Sequence, residues 1–269
     1  MGIGQEIISE LLNDKGYFQK LDRNSYEIEK IEEQLRGGMM PSIFKLHSKE
    51  SVVAPQSAEE YMEILSLVDI KQAQVKVIKE IVERVMGYPI NYYAVKRKVT
   101  EALRERSMEY IRKNKKLEAS LFKAHVLVIS RCCRAYFDEI IMPLCKEGMT
   151  STVALIISRV IMRCTSEKSH MEELLRKVMQ LEKSHSVYTL LTAILIKKIQ
   201  FGQRVIDEVH EYVLQESAGA EGPRFLAWNK VVLVFLRNYK TKINQSALRE
   251  IYSQAESPIE VEILKELSE

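Results

Sequence analysis

The stretch FDEIIMPLCKEGMTSTVALIISRVIMRC, residues 137–164, decides the fold. Its first half is apolar at helical spacing, yet Pro143 stands inside it. Proline has no N–H for a helical ladder and its ring crowds the preceding turn, so it belongs near a helix end. Gly148 then permits a reversal, because glycine enters the left-handed region without a Cβ clash. Thr150 or Ser151 offers a hydroxyl to cap the next helix. That helix, TVALIISRVIMRC, is apolar almost all round, which predicts burial on every side at the centre of a core. The stretch therefore reads as helix, corner, helix, with Leu144 and Cys145 filling the space beneath the corner.

The same signals recur outward in both directions. Ser57 with Glu60 forms a capping-box pattern before YMEILSLV. Val75, Ile78, Val82 and Val85 fall at helical spacing, and Gly87 with Pro89 ends that helix. Asn91 is placed to cap the next helix, which runs to about Lys113, and another spans Leu117 to about Cys133. Beyond the corner, helices are expected over Glu167–Glu182, Ser186–Lys198, Gly202–Gln215, Gln245–Gln254 and Pro258–Leu267. FLAWNKVVLVFLRNY reads as a second helix buried all round, after a flexible loop at 217–223.

Only 10 glycines and 6 prolines occur in 269 residues, and no strand alternation with turn signals appears. The expected fold is all-α: stacked antiparallel helical hairpins, an α-solenoid of HEAT- or TPR-like kind, although no named repeat period shows in the text. Residues 56–269 form a single helical-repeat domain on this reading. Residues 1–55 are expected to be an irregular N-terminal strap packing on that body. The strap holds short helices over Gln5–Leu12 and Tyr26–Leu35, the second closed by Gly37 and Gly38, then extended chain between Pro41 and Pro55.

Chemistry-bearing patterns are few. The text has no GxxxxGK[ST], HExxH or GxSxG, and no GxGxxG after a strand. Cys132, Cys133, Cys145 and Cys164 form no CxxC pair and sit in apolar helical text, so they read as reduced structural thiols. The five histidines lack ligand spacing to them, so no metal is expected. His125 reads as a half-buried helix residue, and Trp228 as the anchor of its helix. No catalytic residue, cofactor, small-molecule substrate or membrane span is expected. A thiol enzyme centred on Cys145 is the enzymatic competitor of this reading.

Charge is uneven. Nine bases between Lys96 and Lys116 face three acids, a net +6 on a chain whose total is +3. Two readings stand: a solvated helix face with Glu–Lys pairs, or a polyanion-facing surface. Lys96, Arg97, Lys98, Arg112, Lys113, Lys115 and Lys116, with Arg36 and Lys45, are the candidate nucleic-acid contacts by charge alone. Arg112–Lys116 contains no acid, and no aromatic base-reading motif accompanies it, so backbone contact is expected. The segment 243–269 carries six acids against two bases and suits a basic protein instead.

Four elements in order resemble the bystin family: LRGGMMPSIFK (35–45), AYFDEIIMPLCKEGMTSTVALIISRVIMRCT (135–165), LLTAILIKKIQFGQRVIDEVHEYV (190–213) and LAWNKVVLVFLRNYK (226–240). Pro41, Phe44, Pro143, Leu144, Cys145, Gly148 and Trp228 match its motifs and read as architectural. The resemblance implies a non-enzymatic ribosome assembly factor that binds precursors of the small (40S) subunit. It implies contact with precursor ribosomal RNA, and with ribosomal proteins and assembly factors of the subunit head and beak. It also implies residence in nucleolus and nucleus and passage with the particle to the cytoplasm. Larger members carry a charged N-terminal extension with almost no counterpart in this text. The alternative is a protein-only helical scaffold whose basic segment meets acidic peptides without RNA.

Overall fold

The computed structural model describes residues 25–41, 58–88, 92–218, 226–255 and 257–268. The expected Gln5–Leu12 helix, most of the extended strap, Phe44, Lys45, Ser57, Pro89 and Asn91 lie outside them. The chain divides into two compact units, residues 1–74 and 75–269.

The first unit holds α1 (Ser25–Arg36) and α2 (Ala58–Leu67). Gly38 follows α1 at φ +78°, a left-handed conformation that favours glycine, and a Cβ there would have to displace the end of the Gln74 side chain. Leu35 is buried beneath this turn, and its carbonyl accepts the Gln74 N–H at 3.1 Å.

The second unit holds α3 (Val75–Val85), α4 (Tyr93–Asn114), α5 (Ala119–Arg131), α6 (Cys133–Tyr136), a π-helical turn (Phe137–Ile141) and α7 (Met142–Lys146). The series continues with α8 (Ser151–Arg163), α9 (Lys168–Met179), α10 (His185–Leu195), α11 (Gln203–Ala218), α12 (Leu226–Tyr239), α13 (Ser246–Ile251) and α14 (Pro258–Ser268). No strand occurs among the described residues. Apolar side chains at helical spacing bury one face each, as Val77, Ile78, Ile81, Val82 and Val85 do in α3.

Those faces build two layers. In one, α3 packs on α5, α5 on α8, α8 on α10, α10 on α12 and α12 on α14. In the other, α4 meets α6 and the π turn, α6 meets α9, and α11 meets α13. Arg176 of α9 and Glu208 of α11 pair across the gap between those two helices. From α5 onward, helices of the first layer begin at residues 119, 151, 185, 226 and 258, steps of 32, 34, 41 and 32. This is a helical repeat in which each unit contacts its neighbours, the all-α solenoid that the sequence leads one to expect.

Polar stitches follow the same step. A helix C-terminus leaves carbonyls without partners. Here the next repeat supplies donors. Ser166 Oγ donates to Ile129 O at 2.9 Å, Lys197 Nζ to Cys164 O at 2.7 Å, and Asn238 Nδ2 to Leu195 O at 2.9 Å.

One expectation fails. α8 and α12 are not buried on all sides: Leu155 and Met162 of α8 are 54% and 43% exposed, and Leu226 of α12 is 59% exposed. A first-layer helix is covered by its two neighbours and by the second layer, and its fourth side stays open.

Candidate nucleic-acid interface

The 22-residue α4 carries the basic segment. Its start does not face solvent as the charge pattern suggests. Lys96 is only 4% exposed and donates from Nζ to Tyr88 O at 2.7 Å, its ammonium pKa lowered by desolvation. Lys96 is therefore removed from the candidate surface: a buried ammonium already spent on a carbonyl cannot reach a phosphate. Arg97 is half-exposed but ion-paired with Glu139 of the π turn, and that hydrogen bond raises its pKa further. Lys98 is half-buried with a partner of its own.

The other end of α4 differs. Lys115 adopts φ +57°, and its N–H bonds to Ile111 O, which terminates the helix. Arg112, Lys113, Lys115 and Lys116 are exposed, and among the described residues none pairs with an acid. Arg112 and Lys113 sit in the last turn, where cations also complement the negative end of the helix dipole.

Tertiary structure brings distant residues to this end. Lys115 and Lys116 line a cleft of about 310 Å³ whose opposite wall is α8, with Thr152, Leu155, Ile156 and the exposed Arg159. Arg112 and Lys115 line a second cleft, of about 410 Å³, with Leu144, Gly148 and Glu147. The corner at 143–148 is thus a wall of the basic end, and Glu147 is the acid in that lining. A third cleft, between α5 and α8, adds Lys123, Arg131 and Arg163 beside Glu83 and Glu167. Arg159, Lys123, Arg131 and Arg163 carry no charge-run signal in the sequence because none of them belongs to a run of bases. Their spacing at i, i+4 on α8 (Arg159, Arg163) is the only local signal. Arg36, in the last turn of α1, is exposed and belongs to the first unit.

The corner itself is built around Pro143. Met142 N–H bonds to Phe137 O, a π step that shifts the ladder immediately before the residue that lacks an N–H. Leu144 is 3% exposed, Pro143 and Cys145 are half-buried, and Gly148 has φ +83° with open space around it. Burial pushes the Cys145 thiol up to about 11, the opposite of an activated nucleophile. Pro41 is buried in the first unit. Trp228 is buried, donates from Nε1 to Ser217 Oγ at 3.2 Å and meets the rings of Tyr188 and Tyr212.

His125 is fully buried rather than half-buried. Nε2 lies 2.8 Å from Ser107 Oγ and Nδ1 lies 3.0 Å from Tyr136 OH. Desolvation lowers its pKa to about 3, so the ring is neutral, and its two hydrogen bonds tie α4, α5 and α6 together. Among the described residues no group of histidine, cysteine and carboxylate side chains could hold a metal, and no helix is long and apolar enough to cross a membrane.

Fold and site together define a helical-repeat protein with one exposed basic end. A family model described as Bystin matches residues 26–269, and the chain belongs to the Bystin family. That family is one of ribosome biogenesis, known as non-enzymatic. No curated protein matches the chain.

Proposed function

We propose that this chain is a non-enzymatic ribosome biogenesis factor that binds precursors of the small (40S) subunit. It contacts ribosomal RNA through the end of α4 while its helical surfaces receive ribosomal proteins and assembly factors of the subunit head and beak. On this reading it acts in nucleolus and nucleus during precursor RNA processing and follows the particle through export to the cytoplasm. The observation that carries the RNA contact is the set Arg112, Lys113, Lys115 and Lys116, exposed and without acid partners, of which Lys115 and Lys116 share a cleft with Arg159. Ammonium and guanidinium groups there can donate to phosphate oxygens without reading bases.

The test is RNA binding against salt. Each phosphate contact removed lowers the slope of log K on log salt by about 0.7 to 0.9. Replacing the four bases by Glu should weaken binding to small-subunit precursor RNA and flatten the slope by about three. Lys96→Met should leave the slope unchanged, since that side chain is buried on the Tyr88 carbonyl. Arg36→Glu, made separately, reports whether the first unit joins the contact. An unchanged slope in the fourfold variant, with bound acidic peptides and no RNA after purification, favours the protein-only scaffold instead.

A further inference from the structure

Four of the large apolar side chains left exposed on this molecule gather in one place. Leu155 and Met162 of α8, Ile196 just after α10, and Leu226 of α12 are 54%, 43%, 46% and 59% exposed, and all line a groove of about 330 Å³. Its floor is α10, where small residues such as Thr189 and Ala193 leave the space open. Isolated exposed apolar residues are ordinary, but several lining one concavity mark an interaction site. The 11 residues of α10 make a floor about 16 Å long, room for about three turns of helix.

The charge of this face is one-sided. α8, α10 and α12 contain no Asp or Glu at all. Lys230 is exposed in the groove wall, and Arg159 and Arg163 are exposed on α8 between and beside Leu155 and Met162. His185 stands at the start of α10. Lys197 is held by the Met162 and Cys164 carbonyls, and Arg237 by Glu262 and Glu266 of α14. Of the acids of α14, Glu262 and Glu266 are engaged by Arg237, and the buried Glu260 accepts from Asn229 and the Ser257 N–H, so Lys230 keeps its charge toward the groove.

We infer that this groove receives an acidic amphipathic helix of a partner protein. Its apolar residues at i, i+3 or i+4, and i+7 seat between Leu155, Met162, Ile196 and Leu226, and its carboxylates meet Lys230. Helix in groove fits because no strand edge is offered among the described residues and the walls are helices. RNA does not fit a floor of Thr and Ala without bases. The groove lining contains none of the four bases at the end of α4 that carry the RNA contact.

The experiment displays random peptides of about twelve residues, selects them on the full chain, and measures the winners by fluorescence anisotropy. Enriched peptides should carry the apolar spacing above with Asp or Glu on the other face. Ile196→Asp and Leu226→Asp, both at exposed positions and checked for an unchanged melting curve, should each weaken binding by about tenfold or more. Lys230→Glu should weaken the acidic peptide and strengthen its Glu-to-Lys counterpart. Glu replacement of Lys115 and Lys116 should leave peptide binding alone, while Ile196→Asp should leave the RNA salt slope alone, so the two readings fail separately. Enrichment of basic or non-amphipathic peptides overturns the inference, as do winners indifferent to groove substitutions. A dimer in sedimentation that Ile196→Asp dissociates assigns the groove to a second copy and also overturns it.

Discussion

At the residue scale, His125 shows how packing decides chemistry. An imidazole has an ordinary pKa of about 6.5. Inside α5, with Ser107 and Tyr136 as its partners, the neutral ring is strongly favoured and its pKa falls to about 3. The unfolded chain therefore binds one more proton than the native one between about pH 6.5 and pH 3. Stability from this group is complete above pH 6.5 and declines as pH falls, by about 1.4 kcal/mol per unit within that window. Urea melts at pH 7, 5 and 4 should show that added slope in the native chain and not in His125→Asn. Equal slopes in both proteins would remove His125 as the cause. Lys96 teaches the converse. Its neighbours Arg97 and Lys98 make a basic triplet in the text, yet it faces the Tyr88 carbonyl. Charge runs give no face, because a helix turns about 100° per residue and sends consecutive side chains to different sides.

At the element scale, the corner at 143–148 divides its work between two residues. Leu144 is 3% exposed, so Leu144→Ala should cost about 2–5 kcal/mol of folding stability. Gly148 has nothing within 4 Å of where a Cβ would stand, so only its φ of +83° matters. Gly148→Ala should therefore cost about 1–2 kcal/mol, and Gly148→Asn less, since asparagine tolerates the left-handed region. Denaturant midpoints decide it: a Gly148→Ala cost equal to that of Leu144→Ala would mean that the turn is packed after all. Helix positions were legible at this scale. The spacing of Val75, Ile78, Val82 and Val85 marks α3, and of the two offered caps Thr150 is the one used on α8, accepting from Val153 N–H. The π turn was not legible, because its cause is a ladder shift ahead of Pro143 and not a residue type.

At the scale of the whole molecule, stability should be local along the stack. Within the first layer each helix packs on the helices before and after it, so damage propagates from neighbour to neighbour. Ile263→Asp in the fully buried face of α14 should speed hydrogen exchange in α12 strongly and in α5 little. Equal acceleration in both helices would show instead that the second unit opens all at once.

The sequence by itself determined the fold class and nearly every helix, because apolar spacing, caps and breakers act within a few residues and carry their meaning locally. It also placed the basic end of α4, where four bases within five residues leave no acid to pair with. It could not show the repeat, whose step varies from 32 to 41 residues and leaves no fixed period to read. Only the tertiary structure decided that Lys96 is inside, that Arg159 joins Lys115 and Lys116, and that two helices apolar almost all round keep an open side. The physical reason is common to all three. Which side of a helix faces solvent depends on the neighbours that cover it, and in a two-layer stack those neighbours come from a repeat earlier and a repeat later in the chain.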